Sequence, residues 1–442
     1  MQPDDHGAGQ GTKPSNLMAD RSFWGMLCTQ FLGAFNDNLY KQLMLLLAIP
    51  AVVAGAAAAD ASGDADVQGW ATLVFSIPFV LFSGFAGYIS DRYAKTPIIV
   101  ICKIAEIAVM FLGLLAFYYY DLLGMTGTWI VLFLMGTQSA FFGPGKYGVL
   151  PELFAPKDLP RANGLILMTT FLAIIFGTVL AGRLKDALAG ADGSAHSLWI
   201  GLLVCVGIAI AGTMTSLLVR KTPPAQPDIR LTADCWGVSR DVYQMLSRDR
   251  ILLLAVLVSS VFWLVSGITV PVVNRLGLGM LGADATNTSN LTASIAIGIM
   301  FGALGASWLC RKGFGDRCVN WGLWGIFVSL VALGLWNGNQ HVLGYWGSAI
   351  ALIAMGVFAA IFAIPIQVFL QDRPPANLKG RMIATMNQAN FIGILISGPL
   401  YQVFEATSRW LGWPICSVFW MMGLLILPVA IFYRLDSQPT RA

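Results

Sequence analysis

The feature that most constrains this chain is a train of apolar runs, each about the length of a helix that crosses a membrane. A helix rising about 1.5 Å per residue needs about 20 apolar residues to span the hydrocarbon core. On that measure twelve runs are predicted, at 22–56, 68–90, 97–119, 127–150, 162–182, 197–219, 251–274, 289–309, 318–336, 344–370, 382–404 and 411–433. Lipid offers the backbone no hydrogen-bond partners, so such runs fold as helices. Charged residues make up only 11% of the chain, against about 25% in soluble domains. The reading is an all-α membrane protein. Its net charge of +4 is too small to suggest a nucleic-acid partner. Residues 1–20 are polar and the first run is too long for a signal-peptide core, so that run is expected to stay as the first span.

The longest polar insert, 220–250, holds Pro223, Pro224 and Pro227, then a candidate surface helix from Asp241 to Leu246. It divides the chain into a six-helix bundle at 1–219, an interdomain loop at 220–250 and a second six-helix bundle at 251–442. Between runs, only Arg183, Lys185, Arg275 and Arg409 fall on one side of the membrane. The other Lys and Arg outside the runs fall on the side of both termini, which is therefore expected to be cytoplasmic, with the loop. A shift of 220 residues lays Gly136 on Gly356, Ala140 on Ala360, Phe142 on Phe362, Leu150 on Leu370 and Arg161 on Arg381, so the halves read as a repeat. No metal-ligand spacing and no nucleophile–base constellation is present. Neither an enzyme nor a resident cofactor is expected, and the chain is expected to act as a monomer.

Five ionisable residues sit inside runs of the first half, Asp37, Lys41, Lys103, Glu106 and Lys146, and none inside runs of the second. A charge in hydrocarbon costs about 2.5–3.5 kcal/mol on insertion scales, so each asks for a use. Gln30, Asp37 and Lys41 share one helical face, and Asp37 and Lys41 are spaced to pair. Asn36 and Asn38 add neutral oxygens beside them. Such a cluster binds Na⁺, carries a proton or meets a headgroup, or else is a self-satisfied polar knot. Lys103 and Glu106, three residues apart, either line a cavity or neutralise each other. Gln138 lies mid-way along the fourth run, whose end holds Gly143, Pro144, Gly145 and Gly148 and is expected to break the helix. Lys146 there either meets the substrate or snorkels to headgroups. The polar groups inside the second half's runs are neutral, among them Gln367, Asn387, Gln388 and Asn390. An ionic wall facing an apolar one suits an amphiphile: lysines for a phosphate, Asp37 or Glu106 for an amine, apolar side chains for an acyl tail.

The second run ends Gly87-Tyr88-Ile89-Ser90-Asp91-Arg92-Tyr93-Ala94-Lys95. This resembles the Gly-x-x-x-Asp-Arg-x-x-(Arg/Lys) signature of the major facilitator superfamily. The resemblance implies twelve transmembrane helices in two parallel six-helix halves, with substrate between them near the midplane. It also implies a latch: Asp91, with Arg92 and Lys95, against the start of the eleventh run near Lys379, Gly380 and Arg381, with Gly87 allowing close helix approach. The run Phe31-Leu32-Gly33-Ala34-Phe35-Asn36-Asp37-Asn38, the block Phe142-Gly143-Pro144-Gly145-Lys146-Tyr147-Gly148, and Arg161-Ala162-Asn163-Gly164 are similar to bacterial lysophospholipid transporters of the LplT type. That resemblance implies inward flipping of lysophospholipids, such as lysophosphatidylethanolamine, across the inner membrane, with an acyltransferase as partner. Two other readings share the apolar runs. One is a facilitator-type exporter of amphipathic drugs; the other is a non-transporting scaffold that docks an acyltransferase through 220–250.

Overall fold

Each apolar run read from the sequence coincides over most of its described length with a helix of the computed structural model, which describes residues 17–49, 67–154, 158–188, 197–224, 227–228, 237, 240–311, 315–338, 340–375 and 378–435; residues 50–56 of the first run lie outside the described residues. The helices of the first half are α1 (Arg21–Leu47), α2 (Gln68–Arg92), α3 (Lys95–Tyr118), α4 (Tyr120–Gly148), the short α5 (Leu150–Leu153), α6 (Leu159–Leu188) and α7 (Trp199–Ser216). Then come α8 (Arg240–Arg248), α9 (Arg250–Arg275), α10 (Ala285–Arg311), α11 (Gly315–Leu333), α12 (Gly344–Asp372), α13 (Lys379–Trp410) and α14 (Ser417–Phe432). A small antiparallel pair, β1 (Trp336–Asn337) and β2 (Gln340–His341), joins α11 to α12. Among the described residues, eight helices are long and apolar enough to cross a membrane by length and composition. Polar residues interrupt α1 and α13, and the apolar stretches of α11 and α14 are shorter. The protein is a multi-pass membrane protein.

Caps fix where two central helices begin. Asp20 accepts from the Ser22 backbone N–H at 2.8 Å and starts α1. Asp249 accepts from Ile251 and Leu252, each at 3.1 Å, and starts α9. Small residues let helices touch backbone to backbone. A Cβ on Gly177 of α6 would sit 2.5 Å from the Phe35 carbonyl oxygen, so α1 and α6 cross at that point. Leu39, Tyr40, Leu43, Met110, Phe117, Met135 and Leu202 fill the first bundle. Val256, Ile268, Leu323, Leu352, Phe362 and Phe419 fill the second, and Val242 and Leu246 of α8 belong to that second core.

Three expectations change. The helix break expected at Gly143–Gly148 is absent: α4 runs through Pro144 to Gly148, and its kink is at Gly124, where φ is +54°. A proline late in a helix can be absorbed when its neighbours satisfy the freed carbonyl. The second half is also not free of ionisable residues. α13 continues past the end of its apolar run to Trp410, which places Glu405 inside the helix, buried and bonded to Arg409 at 2.7 Å. Likewise α6 runs on to Leu188 and takes in Lys185, whose ammonium donates to the Leu46 carbonyl at 2.5 Å.

The two bundles meet at one end, opposite the end where α1 begins and α14 finishes. Gln42 Nε2 donates to Asn274 Oδ1 at 2.8 Å, Asn274 Nδ2 to Gln68 Oε1 at 3.0 Å, and Gln68 Nε2 to the Pro271 carbonyl at 3.1 Å. Asp186, near the end of α6, caps the start of α10 through the N–H groups of Ala285 (3.0 Å) and Thr286 (2.6 Å). Gly69 and Gly398 bring α2 and α13 into backbone contact at the same end, and Phe79 stacks on Phe391 at 4.2 Å further in. Replacing Asp186 by Ala removes a cap worth about 0.5–2 kcal/mol. The expected result is up to about a thirtyfold shift toward opening at this end. It is read as faster maleimide labelling of a Thr292→Cys reporter in a background lacking the native thiols. Unchanged labelling would show that the Asp186 cap does not hold the closure.

Candidate functional site

The polar centre of the first bundle is built on α1. Asn36 points inward, between α3 and α7, and is fully buried. Its Nδ2 donates to Glu106 Oε1 at 3.2 Å and to the Cys205 carbonyl at 3.1 Å. Glu106 pairs with Lys103 one turn away on α3, and Gln138 Nε2 of α4 reaches the Cys102 carbonyl at 3.2 Å. Lys103 is 0% exposed and Glu106 2%. Gly212 of α7 makes room for the lysine: a Cβ there would lie 2.9 Å from Lys103 Cε. Of the two sequence readings, the geometry therefore gives mutual neutralisation. Lys103, Glu106, Asn36 and Gln138 form a sealed network between helices of one bundle and do not line an opening between bundles. The cost of burying a charge is offset by its partner and by hydrogen bonds to the remaining lone pairs.

Asp37, the next residue on α1, turns toward α4. It is half-buried, and Ser139 of α4 donates to its Oδ2 at 2.7 Å. The Asp37–Lys41 pair expected from spacing does not form. Lys41 instead stands over the Phe75 ring, 4.9 Å from its centroid, a cation–π contact that needs no anion. Ser139 Oγ also lies 3.1 Å from Gln138 Oε1, so Asp37 touches the sealed network through a serine and a glutamine. Sequence reasoning missed Ser139. A lone serine in an apolar run carries no periodic signal, and only the α1–α4 packing reveals it.

Three side-chain oxygens on α1 are buried with no hydrogen-bond partner: Gln30 Oε1, Asn36 Oδ1 and Asp37 Oδ1. Gln30 otherwise donates to Thr170 at 3.2 Å, and Asn38 donates to the Ala34 carbonyl in its own helix at 2.7 Å. An unsatisfied buried acceptor costs about 1–3 kcal/mol, and the group it lacks is a donor or a cation. Lys146 is half-buried and faces the Phe142 ring at 6.0 Å, with Lys103 at 5.9 Å from the same ring. In the second half Asn390 is buried and accepts from Ser259 at 2.9 Å, while Asn387 and Gln367 are exposed.

Among the described residues, no ion pair joins Asp91, at the end of α2, or Lys95, at the start of α3, to α13. Asp91 is exposed. Arg92 packs over Tyr88 and Tyr93 at 5.8 and 5.7 Å. Lys95 is buried and pairs with Glu152 of its own half. A Cβ on Gly87 would meet nothing within 4 Å, so the close helix approach expected there is absent. Arg381 pairs with Asp241 of α8 at 2.8 Å. The inter-bundle hydrogen bonds described above all lie toward the other end.

Residues 26–398 match the family model described as Major Facilitator Superfamily. The lysophospholipid transporter LplT of Serratia proteamaculans is 27% identical over 391 residues, covering 87% of this chain and 89% of the relative. The protein of the same name from Salmonella newport is 29% identical over 408 residues, covering 88% and 90%. Among solved structures, the nucleoside transporter NupG aligns with a TM-score of 0.67 at 13% identity, covering 94% of this chain and 98% of that one. The E. coli fucose:proton symporter FucP aligns with a TM-score of 0.59 at 15% identity, covering 93% and 98%. At such identities the structural likeness speaks for the fold.

Proposed function

The chain belongs to the Major Facilitator Superfamily, and from that premise we propose that it moves lysophospholipids across a bacterial inner membrane by alternating access over twelve spans. Relatives bearing the lysophospholipid-transporter name across nearly the whole length support the substrate. Lysine and arginine placement supports cytoplasmic termini. With the termini inside, the bundles close toward the outside and part toward the cytoplasm, an inward-open state.

The single observation that carries the site is the pair of partnerless oxygens on one face of α1, Asp37 Oδ1 and, two turns before it, Gln30 Oε1. The primary ammonium of an ethanolamine headgroup supplies three donors and a positive charge, which suits these acceptors. The same oxygens suit Na⁺ as a co-transported ion or a proton on Asp37. Lys41 and Lys146 are the cations for the phosphate, while Lys103 and Glu106 pack against α1 at Gly33 and hold its register. The acyl tail lies against the second bundle and gains little, because lipid is its starting phase. Headgroup contacts therefore carry selectivity. In the outward-open state Asp91, Arg92, Lys95 and Arg381 close the cytoplasmic ends, and the Arg381–Asp241 pair breaks.

The test is uptake of labelled lysophosphatidylethanolamine into proteoliposomes, with and without a Na⁺ or proton gradient. Protein-dependent accumulation is expected, competed by other lysophospholipids and not by cationic amphipathic drugs. Drug competition with no lysolipid accumulation favours the exporter reading and overturns this one.

A further inference from the structure

The hydroxyl of Ser139 on α4 is placed differently from its neighbours. Elsewhere in the first bundle, hydroxyls within the spans donate back one turn to a carbonyl of their own helix: Thr72 to Gln68 at 3.0 Å, Ser76 to Thr72 at 2.7 Å and Thr137 to Phe133 at 2.9 Å. Ser139, two residues after Thr137, makes no such bond among the described residues. Its Oγ instead faces two side-chain oxygens, Asp37 Oδ2 at 2.7 Å and Gln138 Oε1 at 3.1 Å. A hydroxyl has one hydrogen to give, and neither a carboxylate nor an amide oxygen donates. Only one of the two contacts is therefore a hydrogen bond at any moment.

The charge on Asp37 decides which. As a carboxylate, Asp37 takes the hydrogen, because a charge-assisted bond is the shorter and stronger, and Gln138 Oε1 goes without. When Asp37 Oδ2 takes up a proton from water, it becomes the donor. It gives its O–H to Ser139 Oγ, and Ser139 turns its own hydrogen to Gln138 Oε1. No covalent bond of Ser139 changes, and the proton stays on Asp37. Gln138 is held to receive the hydrogen by its own Nε2 bond to the Cys102 carbonyl at 3.2 Å. Asp37 Oδ2 thus has a hydrogen-bond partner in both states. A buried polar group without one is costly, so an acid that gains and loses a proton inside a membrane needs this arrangement. A Na⁺ finds less here: Asp37 Oδ1 is open, but Gln30 Oε1 stands seven residues away along α1, about 10 Å at the helical rise.

The charged groups around Asp37 are Lys41 on its own helix, Lys103 and Glu106 of α3 and Lys146 of α4. Lys103 and Glu106 answer each other, and Lys41 stands over Phe75. The sequence of α7 holds no charged residue, and those of α2 and α6 lie near the helix ends. We propose that Ser139 is the positioning residue for a proton carried by Asp37, its hydroxyl serving the carboxylate in the charged state and Gln138 in the protonated one. This role for Ser139 rests on Asp37 being the acid that meets the headgroup or the coupled ion, and it makes the proton that ion.

Infrared difference spectra of the purified full-length protein in detergent, without lysolipid, are recorded as pH is lowered. Asp37→Asn identifies the protonated-carboxyl band of Asp37. That band is expected to move to higher frequency in Ser139→Ala, where the carboxyl has lost its acceptor, and to move the same way in Gln138→Leu. It is expected to return in Ser139→Thr, which keeps the hydroxyl, and to stay in place in Thr137→Ala, whose hydroxyl bonds within α4. In proteoliposomes an inward proton gradient is expected to stimulate uptake of labelled lysophosphatidylethanolamine by the parent and by Ser139→Thr, with the stimulation lost in Ser139→Ala. A band that does not move in Ser139→Ala, or no Asp37 band at any pH at which the protein stays folded, overturns the role of Ser139. So does gradient stimulation undiminished in Ser139→Ala. A band that moves while the parent takes up no lysolipid supports Ser139 and overturns the substrate alone.

Discussion

Asp37→Ala is expected to abolish lysophospholipid uptake in proteoliposomes while leaving expression and melting temperature near those of the parent. The expected loss is about tenfold to hundredfold, the range of one hydrogen-bonded charge at a partly desolvated site. The fold should tolerate the change because Asp37 is half-buried, makes one side-chain hydrogen bond, to Ser139, and is paired with no lysine. Removing it orphans no buried cation: Lys103 has Glu106, and Lys41 rests on Phe75. Asp37→Asn separates charge from shape. If the carboxylate meets an ammonium or Na⁺, the amide fails as badly as alanine; if it only accepts a hydrogen bond, the amide keeps most uptake. Uptake retained in Asp37→Ala would remove the residue from the mechanism.

Much of the architecture was legible because its physical signal is local. A run of apolar residues as long as a bilayer is thick needs no partner to be read, and the described part of each such run lies mostly on a helix. What escaped the sequence depends on which helix faces which. Lys103 and Glu106 could be seen to be close, but not that α7 opens a slot at Gly212 that seals them in. The Asp37–Lys41 pairing looked sound by spacing, yet Ser139 and Phe75 on other helices compete for the two groups. Hydropathy placed the end of the eleventh run short of Glu405 because it averages over a window, whereas helix α13 continues by backbone hydrogen bonding to Trp410. The amide ladder of Gln42, Asn274 and Gln68 was invisible for a related reason. Its members lie at run ends, where polar residues are expected, and only the meeting of α1, α2 and α9 joins them.

Glu106→Ala is expected to be the most damaging single change to stability. It leaves the Lys103 ammonium, 0% exposed, without its countercharge. Breaking a buried pair from one side costs about 3–5 kcal/mol. It also takes the acceptor from Asn36 Nδ2, which keeps only the Cys205 carbonyl. The measurement is melting temperature and monodispersity in detergent. Lys103→Met/Glu106→Leu removes both charges and keeps the volume, and should recover most of the lost stability, because an apolar pair of similar size replaces a buried ion pair at little net cost. Transport by the double variant decides what the pair is for. Lys103 and Glu106 meet α1 at Gly33, one turn before Asp37, but are 0% and 2% exposed, so a folded double variant is expected to retain uptake, with Asn36 and Gln138 repacking around it. Recovered stability with uptake still lost would mean that the pair opens to the substrate in the outward-facing state. The headgroup site would then extend from Asp37 to Lys103 and Glu106.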